Sequence, residues 1–85
     1  MAKVVNIRKE KCDVYIGRGS IWGNPYVIGI DGNRDEVIEK YEFYARRNKK
    51  IMESLLKLDN KKLGCYCKPL NCHGDILVKL IEELK

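Results

Sequence analysis

The sequence predicts a small α/β domain with an open, Rossmann-like sheet of three to four strands, at least partly parallel, covered by two to three helices. Two observations predict this class. Short β-branched runs alternate with longer stretches in which apolar residues recur at helical spacing. The order β-β-(β)-α-α-β-α also joins strands through helices, which favours parallel pairing. The chain has 85 residues and shows no linker, so residues 1–85 are expected to form a single domain.

The elements follow from local patterns in chain order. The predicted strands are residues 4–7, 13–17, 26–30 and 61–67. The third ends in an Asp-Gly turn, so an irregular arm explains it equally well. Asn33 and Glu36 have the spacing of a capping box that begins a helix. Its apolar periodicity continues out of phase beyond Asn48, which predicts two helices or one helix with a break. A last helix is expected at about residues 72–84.

Composition and charge bound the function. Apolar residues make up 45% of the chain and charged residues 34%, and no apolar run reaches about 18 residues, the length of a membrane span. We therefore expect no membrane partner and a cytoplasmic protein, whose cysteines are thiols or metal ligands rather than a disulfide framework. The net charge of +5 favours a nucleotide or weak, non-specific nucleic-acid binding. A solvated lysine-rich surface explains it equally well. The sequence is also compatible with a homo-oligomer.

The first candidate loop covers residues 17–25, directly after the second predicted strand. Its candidate ligand-binding residues are Gly17, Arg18, Gly19, Ser20, Trp22 and Asn24. Glycines allow the backbone to approach a ligand, and the guanidinium of Arg18 suits a phosphate. Trp22 offers a flat face to a base, although core packing is the better interpretation of this residue. A turn-rich connector without a ligand is the alternative for the whole loop.

The second candidate loop covers residues 68–75 and is rich in metal-binding side chains. Cys65, Cys67, Cys72 and His73 supply enough sulfur and nitrogen ligands for tetrahedral zinc. Their spacing differs from the paired knuckles of zinc ribbons, and Cys72 and His73 are adjacent. We therefore expect no stoichiometric structural zinc and no other cofactor. If zinc does bind, these four residues are its expected ligands. Small buried apolar cysteines remain the alternative for Cys65 and Cys67.

The same loop also offers candidates for catalysis. A helix N-terminus lowers the pKa of a thiol, so Cys72 is a candidate nucleophile and His73 its proton shuttle. Asp75 is a candidate general base or acceptor for a hydroxyl group. Alternatively, the backbone amides from Cys72 to Gly74 bind a phosphate at the start of the helix.

The two loops together resemble a small domain family of unknown function that is common in phages and prophages. The resemblance rests on residues 13–25, with Arg18, Ser20 and Trp22-Gly23-Asn24-Pro25, and on residues 64–77, with the Cys-x-Cys-x-Pro-x-x-Cys-His-Gly-Asp block. Tyr26 and Tyr66 replace the phenylalanine and tryptophan expected there, and Cys12 lies outside both blocks. The resemblance implies a viral context, hence the cytoplasm of a host cell. It also implies functional positions at Arg18, Trp22, Gly23, Asn24, Cys67, Cys72, His73, Gly74 and Asp75.

Our leading hypothesis is that the protein binds a nucleotide or nucleoside derivative, similar to ADP-ribose, in a crevice between the two loops. In open α/β sheets, ligands bind beyond the carboxyl ends of the strands. If the strands that precede the loops are parallel, Arg18 and His73 converge on one pocket. Both sequestration and hydrolysis of the ligand fit this arrangement. The alternative is a zinc-stabilised, non-enzymatic module of phage origin that binds nucleic acid or protein.

Overall fold

A three-stranded parallel sheet forms the centre of the structure, a computed structural model that describes residues 2–68 and 70–85. Strand β1 is Lys3–Asn6, β2 is Val14–Tyr15 and β3 is Lys62–Cys65. Their order in the sheet is β1-β3-β2, so the last strand of the chain lies in the middle. Lys3 pairs with Lys62 on one side of β3, and Val14 pairs with Leu63 on the other. The predicted small α/β class with parallel pairing is confirmed.

Three α-helices accompany the sheet in the described part of the chain. They are α1 (Arg34–Arg47), α2 (Lys49–Ser54) and α3 (His73–Leu84), with a 3₁₀ turn at Leu55–Leu58 after α2. Helix α3 contacts β1, the 3₁₀ turn and α1, which in turn contacts α2. In the described part of the chain, no helix is both long enough and apolar enough to cross a membrane.

The predicted start and break of the central helices are confirmed. The side chain of Asn33 accepts a hydrogen bond from the Glu36 amide, and the Glu36 carboxylate accepts one from the Asn33 amide, each at 2.9 Å. Asn48 then ends α1 and begins α2, because its amide bonds to the Ala45 carbonyl and its side chain accepts from the Ile51 amide. The central helical segment therefore consists of two helices, α1 and α2, joined by one residue.

Residues 26–30 form an irregular arm rather than a strand. The carboxylate of Asp31 accepts a hydrogen bond from the Val27 amide at 2.8 Å, which closes a turn. Gly29 and Gly32 both adopt positive φ, and Ile28 and Gly32 form only an isolated bridge. Strand β2 is also shorter than the predicted 13–17. The local side-chain bonds of this segment satisfy backbone groups that a strand would have paired with a neighbour.

Both faces of β3 are covered. Leu63 and Cys65 are buried in the main core, whereas the opposite face, at Gly64, lies against Cys12 and Ile7. A Cβ at Gly64 would lie 2.7 Å from Cys12 Cβ, so this position has no room for a side chain. With its faces filled, the sheet leaves the carboxyl ends of β2 and β3 as the place where a cavity can form.

Candidate functional site

A cavity of about 350 Å³ lies at the carboxyl ends of β2 and β3. Tyr15 and Cys65, the last residues of these strands, both line it. Three further parts of the chain complete the wall: the loop and arm of residues 17–28, the first turns of α1, and residues 66–67 with 71–73. The cavity therefore lies where parallel α/β sheets bind their ligands.

The two predicted loops meet in this cavity. Arg18 and His73 line it together, although 55 positions separate them in the sequence. The cause is the pairing of β2 with β3, because Tyr15 and Gly64 are register partners and each strand delivers its loop to the same edge. Gly17, Asn24 and Cys72 line the same space, so five of the ten predicted catalytic and ligand-binding residues are brought together.

The other five do not line this cavity within the described part of the chain. They are Gly19, Ser20, Trp22, Gly74 and Asp75. Trp22 is only 7% exposed and belongs to the core, as its preferred interpretation required. The hydroxyl of Ser20 donates to the Gly17 carbonyl at 2.7 Å and shapes the loop. Gly74 packs against the sheet, where a Cβ would lie 2.8 Å from Ile16 Cδ1.

Asp75 is held by the helix and by a lysine. Its carboxylate lies 2.7 Å from Lys68 Nζ and accepts a hydrogen bond from the Cys72 amide at 3.2 Å. Cys72 is the N-cap of α3, and its Sγ accepts from the Gly74 amide at 3.3 Å. Two of the three amides predicted to bind phosphate are thus already used in a capping box. This corrects the expectation that the helix start is open to an anion.

Two arginines place positive charge in the cavity, each anchored to the backbone. Arg18 donates through Nη1 to the Asn24 carbonyl at 3.2 Å and through Nη2 to the Tyr26 carbonyl at 3.3 Å. Arg34 donates through Nη1 to the Asn71 carbonyl at 2.9 Å. A guanidinium carries five N–H donors, so both side chains keep donors beyond these bonds. Arg18 therefore also has a structural role, because its hydrogen bond to the Tyr26 carbonyl holds the arm at the cavity.

Sequence analysis missed Arg34, although one feature marks it. Arg34 is the first residue of α1, after the N-cap Asn33. A cation there opposes the helix dipole at a cost of about 0.3–1 kcal/mol. An unfavourable charge that persists at a helix start is the kind of local conflict expected at functional sites. Its partner, Asn71, lies 37 positions away, which a local pattern cannot reveal.

Tyrosines form the aromatic part of the wall. Tyr15, Tyr26 and Tyr66 line the cavity, and the rings of Tyr15 and Tyr66 meet edge to face with centroids 6.5 Å apart. Tyr15 is 40% exposed and Tyr66 54% exposed, so ring surface remains free for a ligand. Arg8 lies over the Tyr66 ring at 5.1 Å and orients it. Aromatic stacking, which sequence analysis assigned to Trp22, is thus available from Tyr15 and Tyr66.

The cavity is electropositive. None of the lining residues in the described ranges is acidic.

Burial lowers the pKa of His73, the Ile16 carbonyl opposes this, and the charge of Arg18 lowers the pKa further, so the imidazole is neutral at pH 7. His73 Nε2 lies 2.6 Å from the Ile16 carbonyl oxygen. Because a carbonyl accepts, Nε2 carries the proton and Nδ1 is the ring's free acceptor.

Three thiols lie together at one side of the cavity. The Sγ atoms of Cys65, Cys67 and Cys72 are all within 4.8 Å of one another, and those of Cys65 and Cys72 are 3.4 Å apart. The sequence spacing seemed poor for joint coordination, and the fold corrects that expectation for the thiols. His73 is not part of this group as the structure describes it. Cys12 is also a free thiol, located at Gly64 on the other face of the sheet.

The environment of Cys72 argues against a ready nucleophile. Burial raises the pKa of Cys72 to about 12, and its contact with the Cys65 thiol acts in the same direction. The hydrogen bond from the Gly74 amide lowers the pKa, but by less. Desolvation thus outweighs the helix N-terminus, and the expected lowered pKa is corrected. In the absence of a metal, Cys72 is a neutral thiol at pH 7.

Comparison with known proteins assigns the chain to a family. Residues 2–83 match the domain of unknown function DUF4326, and the protein belongs to this family. It is 41% identical over 88 residues to the "Uncharacterized 12.4 kDa protein in nrdA-td intergenic region" of Enterobacteria phage T4, covering 99% of this chain and 81% of that protein. It is 34% identical over 94 residues to "Uncharacterized protein R718" of Acanthamoeba polyphaga mimivirus, covering 89% and 72%.

The predicted resemblance to a phage-associated family of unknown function is confirmed at this level. Both relatives are viral. No solved structure matches the chain at a significant level. Function must therefore be argued from the cavity itself.

Proposed function

We propose that the cavity binds a phosphorylated nucleoside derivative, with ADP-ribose as the representative ligand. The observation that carries this proposal is the pair of anchored arginines, Arg18 and Arg34, in a cavity whose described lining contains no acid. Two cations without a counter-charge favour an anionic ligand. A guanidinium suits phosphate in particular, because its planar fork donates two parallel hydrogen bonds to two oxygens.

The remaining wall fits a nucleoside. Drug-sized ligands occupy cavities of roughly 300–1,000 Å³, and this one measures about 350 Å³. Tyr15, Tyr26 and Tyr66 offer ring faces to a base. Val37 and Ile38 of α1 add apolar surface. Phosphate recognition and aromatic contact with the base are the two requirements of a nucleotide site.

Sequestration has better support than hydrolysis among the described residues. A general base must reach the proton that it removes. Asp75 does not line the cavity and is held by Lys68. Because Nε2 of His73 is engaged by the Ile16 carbonyl, Nδ1 of His73 is the remaining candidate base in the described lining. The cavity thus has groups that bind and position a ligand. It lacks a free carboxylate that would activate water within the described lining.

A thermal-shift panel tests the proposal. The protein is unfolded by heat with ADP-ribose, with adenosine and with inorganic phosphate, each at several concentrations. A ligand at one hundred times its dissociation constant stabilises the native state by about 2.7 kcal/mol. We expect ADP-ribose or a related nucleotide to raise the Tm more than adenosine or phosphate alone. A protein whose Tm responds to no member of a broad nucleotide panel would contradict the proposal. Chromatography of the same mixtures separates sequestration, which leaves the ligand intact, from hydrolysis.

A further inference from the structure

We propose that Cys65, Cys67 and Cys72 form a binding site for one zinc ion, held by three thiolates, with the fourth tetrahedral position open to the cavity. The three side chains all line the cavity. The protein would then contain a thiolate metal centre beside its nucleotide site. Zinc is the metal that combines a preference for thiolates with tetrahedral geometry and no redox chemistry of its own.

The sulfur positions match the geometry of zinc. A tetrahedral site with Zn–S bonds of about 2.3 Å has sulfur atoms about 3.8 Å apart. In the structure one pair is 3.4 Å apart and all three pairs lie within 4.8 Å. Shifts of a few tenths of an ångström to about one ångström would therefore bring the three sulfurs around one ion. Side-chain rotation can supply such shifts without a change of fold.

Regular structure fixes two of the three ligands. Cys65 is the last residue of β3, and Cys72 is the N-cap of α3. Cys67 follows β3 by two residues and is less buried than the other two. The Gly74 amide donates to Cys72 Sγ at 3.3 Å, an outer-shell hydrogen bond of the kind that orients ligands and supports a metal-bound thiolate. Ligands held by rigid elements give the site a preformed geometry.

The surroundings balance the charge of such a centre. Binding replaces three thiol protons, which pass to solvent, by one Zn²⁺, so the centre carries a net charge of −1. Arg18 and Arg34 line the same cavity, so their two positive charges and the −1 of the centre leave the lining with a net charge of +1, which still favours an anion. A buried thiolate centre is stabilised by cations of this kind, because they offset the cost of removing its charge from water.

The fourth position belongs to the cavity. His73 is next to Cys72 in sequence, but its ring nitrogens lie outside the group that the three sulfur atoms form. Across residues 2–68 and 70–85, no additional histidine, cysteine or acidic side chain joins the three thiols. A zinc ion with three protein ligands keeps a position for water or another small ligand. Here that position would face the space assigned to the nucleotide.

Cobalt(II) is the probe for the site, because it replaces zinc in tetrahedral thiolate sites and reports on its own coordination. Metal-free, fully reduced protein is titrated with Co(II) without any nucleotide. We expect one equivalent to bind, with an intense sulfur-to-cobalt charge-transfer band and the strong d–d bands of a four-coordinate ion. Excess Zn(II) should remove both. A titration that produces no charge-transfer band in the folded protein would overturn the proposal.

Two variants, each with one cysteine replaced by serine, test which thiols bind the metal. Cys67→Ser removes the most exposed thiol of the group, and Cys12→Ser is its matched control on the other face of the sheet. Loss of an outer-shell partner costs about 10- to 100-fold in metal affinity. Loss of a ligand should therefore weaken Co(II) binding at least tenfold in Cys67→Ser and leave Cys12→Ser unchanged. Equal affinities in both variants, with circular dichroism showing both folded, would refute the assignment.

Imidazole tests the open position. If the fourth ligand is exchangeable, adding imidazole to the Co(II) protein should shift the d–d bands and keep the charge-transfer band. Unchanged d–d bands would show a closed fourth position and contradict that part of the proposal. The open position lies in the cavity of the proposed function, but neither titration uses a nucleotide. Failure of the metal site and failure of nucleotide binding are therefore distinguishable.

Discussion

Individual side chains fix the backbone segments that form this cavity. Arg18 donates to the carbonyls of Asn24 and Tyr26, and Arg34 donates to the carbonyl of Asn71 in the second candidate loop. A side chain that is already fixed loses little conformational entropy when it binds a phosphate. Arg18 could be predicted because a Gly-rich loop surrounds it. For Arg34 the sequence offers only a cation at a helix start, because its contact with Asn71 joins distant segments.

Tyr41 connects the core to His73, which lines the cavity. Its hydroxyl donates to the Trp22 carbonyl at 2.6 Å, and its ring meets the His73 ring edge to face at 5.0 Å. Tyr41 is fully buried. It therefore fixes the backbone of Trp22 in the first loop and the ring of His73 in the second at the same time.

We predict that Tyr41→Phe lowers the free energy of unfolding by about 1–3 kcal/mol, because a buried carbonyl loses its donor. Chemical denaturation at pH 7 measures this. Tyr15→Phe is the control, since Tyr15 is 40% exposed. A loss of the same size in both variants would contradict the role assigned to the bond.

The same tyrosine predicts a response to alkaline pH. Burial, with a smaller effect of Tyr44, raises the pKa of Tyr41 above its ordinary value of 10.0. A raised native pKa contributes stability that is complete below the ordinary value and is lost as the pH rises beyond it. The wild-type protein should therefore lose stability above pH 10 more steeply than Tyr41→Phe. Parallel curves for the two proteins would argue against a buried, protonated Tyr41.

At the scale of elements, helix ends were the most predictable features. The capping box of Asn33 and Glu36 follows from side chains three positions apart, and such local bonds survive in any fold that keeps the helix. A second box, from Cys72 to Asp75, was not predicted, because cysteine is a rare N-cap. This box explains why the start of α3 does not offer free amides to a phosphate.

Gly74 lets α3 approach the sheet. A Cβ there would lie 2.8 Å from Ile16 Cδ1 and 2.9 Å from Val4 Cγ2. Overpacking costs about 1–3 kcal/mol, while alanine returns up to about 1 kcal/mol of helix propensity. We predict that Gly74→Ala lowers the free energy of unfolding by about 1–2 kcal/mol in denaturant titrations. A more stable variant would show that the helix does not need this close approach.

Glu42 links α1 to α3. Its carboxylate accepts hydrogen bonds from Arg46 at 3.0 Å and from Lys79 of α3 at 3.1 Å. The bonds from Arg46, and next from Lys79, lower the pKa of Glu42 below its ordinary value of 4.5. A lowered native pKa gives stability that is present above the ordinary value and is lost as the pH falls below it.

We therefore predict that the wild-type protein loses stability below pH 4.5 more steeply than Glu42→Gln. Denaturation at a series of acidic pH values measures the slopes. Glu39→Gln is the matched control, because Glu39 is exposed on the same helix. If the slope of Glu42→Gln equals that of the wild type, the link between the helices carries no pH-dependent stability.

At the scale of the molecule, the sequence predicted the class and the parallel pairing but not the order of the strands. Periodicity identifies an element, whereas the place of β3 between β1 and β2 depends on contacts more than 45 positions apart. The arm at residues 26–30 shows the same limit, because its β-branched residues predict a strand and its turn bonds prevent one. Likewise, the spacing of Cys65, Cys67 and Cys72 in the sequence did not predict that the fold brings their sulfur atoms together.

The central claim is that the cavity's arginines bind the phosphate of a nucleotide, and calorimetry of two arginine variants tests it most directly. Arg34→Ala removes a charge from the cavity, and Arg47→Ala removes the same charge from the exposed end of α1, outside the cavity. Both are titrated with ADP-ribose, or with the nucleotide that raises the Tm most, alongside the wild type.

A charged hydrogen bond contributes about 1.5–3 kcal/mol, so Arg34→Ala should bind roughly ten- to a hundredfold more weakly. Arg47→Ala should match the wild type. Two results would contradict the claim: an Arg34→Ala variant that binds as tightly as the wild type, or an Arg47→Ala variant whose affinity falls as much as that of Arg34→Ala.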